Sequence, residues 1–154
     1  MQILLNNRQR LHPIATKQLR TAAVAILSAL GCTDDTELSV SIVGDRSIRI
    51  INRDYLGRDK PTNVISFSLQ EGDCSGINPH ALGDVIISAS TAAREAEEGG
   101  MEFFERLVFL LLHGILHLCG YDHERSGEAA AKEMEHKEQQ IFRALKKAGA
   151  LNAT

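Results

Sequence analysis

A chain of 154 residues, 44% of them hydrophobic and 24% charged, is long enough for one compact domain with its own core and too short for two ordinary ones. Its net charge of −3 argues against bulk-charge binding of nucleic acid, and its most apolar segment, 107–118, falls short of the roughly 20 residues that cross a bilayer. The opening MQILLNNRQR has too brief an apolar run for a secretory signal, and three cysteines without C-x-x-C spacing form no disulfide framework, so a cytoplasmic protein is expected. The charge is uneven: residues 1–60 hold nine Lys or Arg against six Asp or Glu, and residues 61–154 hold eight against fourteen. A basic half of this kind can present a phosphate-binding face, and a merely solvated surface carries the same pattern.

In chain order, 2–5 reads as a short first strand. Pro13 suits the first position of a helix whose apolar residues Ile14, Leu19, Val24, Leu27 and Leu30 run to Gly31. In ELSVSIV, 37–43, Leu38, Val40 and Ile42 alternate with polar residues as in a half-buried strand. Asp45 suits the N-cap of a second helix with Ile48, Ile51 and Tyr55 on one side, ended by Gly57 and barred from continuing by Pro61. NVISFSL, 63–69, is a further strand. QEGDCSGINPHA, 70–81, is a loop or flap, and LGDVIIS, 82–88, a fourth strand. Ser90 or Thr91 is the expected cap of a helix through Glu98. A helix over 102–119 carries histidines, and a polar helix over 127–148 ends at Gly149. These elements predict a single α/β domain over 1–154, α+β-like in character: a small mixed four-stranded sheet covered by helices.

The chemistry concentrates in HGILHLCGYDH, 113–123, which holds three of the six histidines. His113 and His117 stand at i and i+4, so both rings lie on one helix face and can grip one divalent cation. Gly120 is a natural terminator whose reversal can return His123 to the same face as a third nitrogen. A lone histidine in an apolar helix is ordinarily a core residue. Two at this spacing, a turn and a third six residues on point instead to an open three-imidazole site, the pattern of catalytic rather than structural zinc. Zinc is the expected ion, with nickel the alternative. Where zinc proteases of the H-E-x-x-H type carry a catalytic Glu, this chain has Gly114, which speaks against peptide hydrolysis and is compatible with attack on a phosphodiester. Gly114 also admits a close neighbour.

The whole of HGILHLCGYDH resembles the signature of the YbeY family, bacterial rRNA maturation factors that act as single-strand-specific metallo-endoribonucleases. NRDYLGRDKPTNVISF, 52–67, and LGDVIIS, 82–88, are similar to two further family segments, and in order and spacing the resemblance covers about 37–125. The resemblance implies a compact α/β sandwich with a zincin-like metal-site helix. It implies His113, His117 and His123 as ligands, cleavage of single-stranded RNA, maturation of the small-subunit rRNA 3′ end, and ribosome quality control with the ribosome or small-subunit proteins as partners. Family members often carry Arg directly after the tyrosine of the second segment. Here that position is Leu56, and the arginines nearest it are Arg53 and Arg58.

Arg53, Arg58 and Lys60 are thus the candidate RNA contacts, with Arg58 also a candidate catalytic residue; a solvated loop is the ordinary alternative. Asp84 is the candidate carboxylate behind a ligand imidazole, the partner that metal-bound histidines usually have, or else simply a strand-edge residue. Asp122 and Glu124 are candidates for that role or for proton acceptors. Two other functions fit the same residues: a zincin-type amidase or peptidase, and a non-catalytic ribosome-associated module with a structural metal.

Overall fold

The computed structural model describes residues 1–69, 80–121 and 127–154. Its elements are β1 (Gln2–Asn7), α1 (Thr16–Ala29), β2 (Glu37–Val43), α2 (Asp45–Leu56), β3 (Val64–Ser68), β4 (Ala81–Ser88), α3 (Ala89–Gly99), α4 (Phe103–Leu118) and α5 (Gly127–Lys147). The sheet order is β1-β2-β4-β3, with β1, β2 and β4 parallel and β3 antiparallel at the edge. This is a mixed α/β domain with a four-stranded mixed sheet. Among the described residues no helix is long and apolar enough to cross a membrane.

Period-2 alternation sorts the strands into two faces. Leu38, Val40, Ile42, Val85 and Ile87 join Leu19, Ile26, Leu27, Leu107, Leu111 and Ile115 of α1 and α4 in the main core. The opposite face carries Ile65, Phe67 and Ile86, covered by Ile48 and Ile51 of α2 in a smaller cluster. Helix α5 packs on α4 and α1 from outside. Helix α4 is therefore wrapped by sheet and helices, which is why FFERLVFLLLHGILHL is apolar almost all round.

Several ends lie elsewhere than the sequence predicts. Helix α1 starts at Thr16, because the chain turns at Ala15, where the Thr16 N–H donates to the Ile14 carbonyl. The cap of α2 is Gly44. Asp45 is the first helical residue, and its carboxylate leaves its own helix to accept from Ser88 Oγ and Thr91 Oγ1, both at 2.6 Å, and to pair with Arg94 at 2.9 Å. Strand β4 runs into α3 without a loop, so Ser88, the last strand residue, caps that helix by accepting from the Thr91 N–H in place of Ser90 or Thr91. Tyr55 does not share the buried side of α2; it is exposed and stacks edge-on against Phe67.

Two close contacts set the height of α4 above the sheet. A Cβ on Gly114 would lie 2.7 Å from Val85 Cγ1 and 3.0 Å from Ser66 Oγ, and Ser66 Oγ donates to the Gly114 carbonyl at 3.0 Å. A Cβ on Gly83 would lie 2.2 Å from the Phe67 carbonyl oxygen and 2.9 Å from Leu118 Cδ2. The nearest atom at each site, a methyl of β-branched Val85 or the Phe67 backbone oxygen, is not the end of a flexible chain that could swing away.

Two outcomes follow from this packing. Gly114→Ala sets an overpacking cost of about 1–3 kcal/mol against about 1 kcal/mol gained in helix propensity, so urea denaturation should show a net loss of up to about 2 kcal/mol. Increased stability would mean that the sheet can retreat. Asp45→Ala leaves buried Ser88 without its acceptor and should cost about 1.5–3 kcal/mol, the range of hydrogen bonds to charged groups. Burial alone would raise the Asp45 carboxyl; the bonds from Ser88, Thr91 and Arg94 outweigh it and hold the group below its ordinary value. The wild-type advantage is therefore complete above the ordinary carboxylate range, near pH 4, and shrinks as pH falls through the lowered folded value. Parallel denaturation of both proteins from pH 7 to pH 3 measures it.

Candidate metal centre

On buried α4 one stripe at four-residue spacing remains partly accessible: Phe109, His113 and His117. Antiparallel α5 covers Phe109 and His113 in a fixed register. Phe109 meets Phe142 edge to face at 5.5 Å, and one turn on His113 Nδ1 lies 2.7 Å from Glu138 Oε2. The sequence places Glu138 within an apolar series, with Met134, Ile141 and Leu145 all buried.

The two histidine rings converge. Their Nε2 atoms stand 3.3 Å apart, with the ring planes at 77°. Two imidazole nitrogens, each roughly 2.0–2.1 Å from one tetrahedral zinc ion, are separated by roughly 3.3–3.4 Å, so the observed pair has the span that a shared cation requires. The donor chemistry fits as well, since imidazole suits zinc and nickel alike. Among the described residues no group of three His, Cys, Asp or Glu comes together. His123, the expected third ligand, lies outside the described residues, as do Asp122 and Glu124.

Asp84 is not the carboxylate behind an imidazole. Val85 faces Gly114 of α4, so its neighbour Asp84 points to the opposite face with Ile86, and the carboxylate on His113 is Glu138. The signal in the sequence was a charged residue inside the hydrophobic series of an amphipathic helix, 25 positions from the histidine it meets. Cys119 turns from the histidines toward Cys32; burial first, then the neighbouring thiol, push it up to about 12, so it offers no thiolate. Gly120, at φ 97°, lets the chain reverse, with the Tyr121 N–H closing on the Leu116 carbonyl at 3.0 Å. The position that carries the base in H-E-x-x-H enzymes is Gly114, whose Cα faces the sheet, so packing closes it to a glutamate.

The basic segment is fixed at the same end of the sheet. Tyr55 stacks on Phe67, Phe67 pairs with Asp84, and Leu118 of α4 packs over the adjacent Gly83, so α2 and α4 both finish at that end of the β3–β4 pair. They do so on opposite faces, with edge strand β3 between them. The segment doubles back along α2: buried Asn52 donates to the Lys60 carbonyl at 2.8 Å and accepts from the Arg58 N–H, and Arg49 pairs with Asp59. Arg53 is paired with Asp54 at 2.9 Å. Among the described residues the Arg58 and Lys60 side chains have no carboxylate partner and are exposed, as is Leu56.

The family model described as "Endoribonuclease YbeY" matches residues 4–146. The chain is 62% identical over 149 residues to the endoribonuclease YbeY of Geobacter sulfurreducens, covering 97% of this chain and 99% of that one. It is 55% identical over 140 residues to that of Syntrophotalea carbinolica, covering 91% and 93%. Its fold is similar to the solution structure of TM1509 from Thermotoga maritima, at a TM-score of 0.61 and 20% identity over 97% of this chain and 95% of that one. With a family model spanning nearly the whole chain and relatives matching it end to end, the chain belongs to the endoribonuclease YbeY family.

Proposed function

We propose that this protein is a metal-dependent endoribonuclease that cuts single-stranded RNA, acting in the cytoplasm on the 3′ end of small-subunit rRNA and in ribosome quality control. The observation that carries the metal dependence is the converged pair of imidazole nitrogens 3.3 Å apart, backed by a buried carboxylate. His113 and His117 would hold the ion, zinc by preference and nickel as the alternative, with His123 as the third ligand. When bound, such an ion supplies Lewis-acid stabilisation of charge building on a phosphoryl oxygen and a nucleophile at neutral pH. RNA as the substrate is supported by the names of the relatives and by the basic segment at the same end of the sheet.

The chain's own groups divide the remaining work. Arg58 and Lys60, exposed and without carboxylate partners among the described residues, bind phosphate, Arg58 in place of the arginine that Leu56 replaces. Arg53, tied to Asp54, contributes less. Asp122 is the candidate proton acceptor. With position 114 closed by the sheet, no carboxylate stands where a peptidase of the H-E-x-x-H type keeps its base.

Zinc-loaded protein incubated with single-stranded RNA should cleave it, and His117→Ala or His113→Ala should abolish cleavage together with the bound zinc measured by elemental analysis. Cleavage that survives His113→Ala would exclude this site as the catalyst. Chelation should end cleavage while circular dichroism keeps most of its signal; loss of the fold on chelation would mark a structural metal instead. Arg58→Ala should weaken RNA binding and flatten its salt dependence by about one phosphate contact.

A further inference from the structure

Among the described residues, Glu138 is the one acidic side chain that is buried. It is only 9% exposed and sits between Met134 and Ile141 on the face that α5 turns to the core. Burying a carboxylate in such a stripe is costly unless it is hydrogen-bonded, and an apolar residue of similar size would pack there at no such cost. The partner of its carboxylate among the described residues is His113, at 2.7 Å. A carboxylate oxygen accepts from the ring nitrogen it faces, so this contact places the ring proton on Nδ1 of the imidazole. A neutral ring protonated on Nδ1 has its lone pair on Nε2, the atom 3.3 Å from His117 Nε2. The other tautomer would aim a hydrogen into the gap where a cation must sit.

We infer that Glu138 is the positioning residue of this centre: from α5 it locks His113 in the Nδ1–H tautomer, so that the Nε2 lone pair faces the gap it shares with His117. The contact lies at a fixed step of the α4–α5 register, one turn from the Phe109–Phe142 pair, so the packing of two helices sets the angle of the imidazole. The inference rests on the metal reading above for its purpose; the tautomer itself follows from the His113–Glu138 contact at 2.7 Å.

The test uses the full chain, Glu138→Met and Glu138→Gln. Long-range proton–nitrogen NMR of the metal-free wild type at neutral pH should show His113 protonated on Nδ1, and Glu138→Met should lose that preference. Competition of the protein with a chromophoric chelator for Zn2+ should show an affinity about 10- to 100-fold weaker in Glu138→Met, with Tm unchanged or raised. Glu138→Gln, which keeps an acceptor oxygen without the charge, should recover part of both. Wild-type tautomer and Zn2+ affinity in Glu138→Met would overturn the inference, and so would an affinity loss that only follows a falling Tm. Should Glu138→Met fail to fold, the same two measurements on Glu138→Gln decide. A wild type that takes up no Zn2+ would overturn the metal reading, and the tautomer comparison would still decide the role of Glu138.

Discussion

The contact between α4 and the β3–β4 pair at Gly114 governs where everything else in the centre can stand. A helix bearing a side chain there would be held off Val85 and Ser66 by its own Cβ, and the hydrogen bond from Ser66 to the Gly114 carbonyl would open. Because position 114 must face the sheet, the helix has no freedom to rotate. The neighbouring stripe of Phe109, His113 and His117 is thereby turned to the side, with Phe109 and His113 against α5. What looks in one dimension like a protease motif with its glutamate deleted is in three dimensions a packing requirement.

Helix α5 completes the arrangement. Its pairing with α4 is antiparallel and stepped by one turn, so the ring pair Phe109–Phe142 and the polar pair His113–Glu138 belong to one register. The apolar members supply the burial energy, and the polar member aims an imidazole. That division explains why a helix reading as mostly polar, with few buried positions, spends one of them on a carboxylate. The basic segment after α2 is secured by a different device. Asn52, 3% exposed, bonds the returning backbone at Arg58 and Lys60, which leaves both side chains outward.

Each misplaced boundary has an identifiable cause. Asp45 has the chemistry of a cap, but three donors from the β4–α3 junction outbid its own helix for the carboxylate, and those donors are more than 40 residues away. Ser90 and Thr91 have cap chemistry too, yet β4 passes into α3 without a linker, so the strand's last residue reaches the first free N–H. Asp84 stood in the right strand with the wrong parity: one step along a strand reverses the face, and the step that points to α4 belongs to Val85.

Local pattern alone determined the order and type of the elements, the α/β class and the pairing of His113 with His117, because periods of 2 and 3.6 and an i, i+4 spacing are properties of neighbours in the chain. The match of three segments to a family pattern was equally visible there. Tertiary structure alone decided that Gly114 serves the sheet, that Glu138 rather than Asp84 stands behind His113, and that α2 and α4 end at the same end of the sheet. Each of those depends on which faces of separate elements meet and in what register. That choice is made by burying the apolar surface of the whole domain, and no single segment carries it.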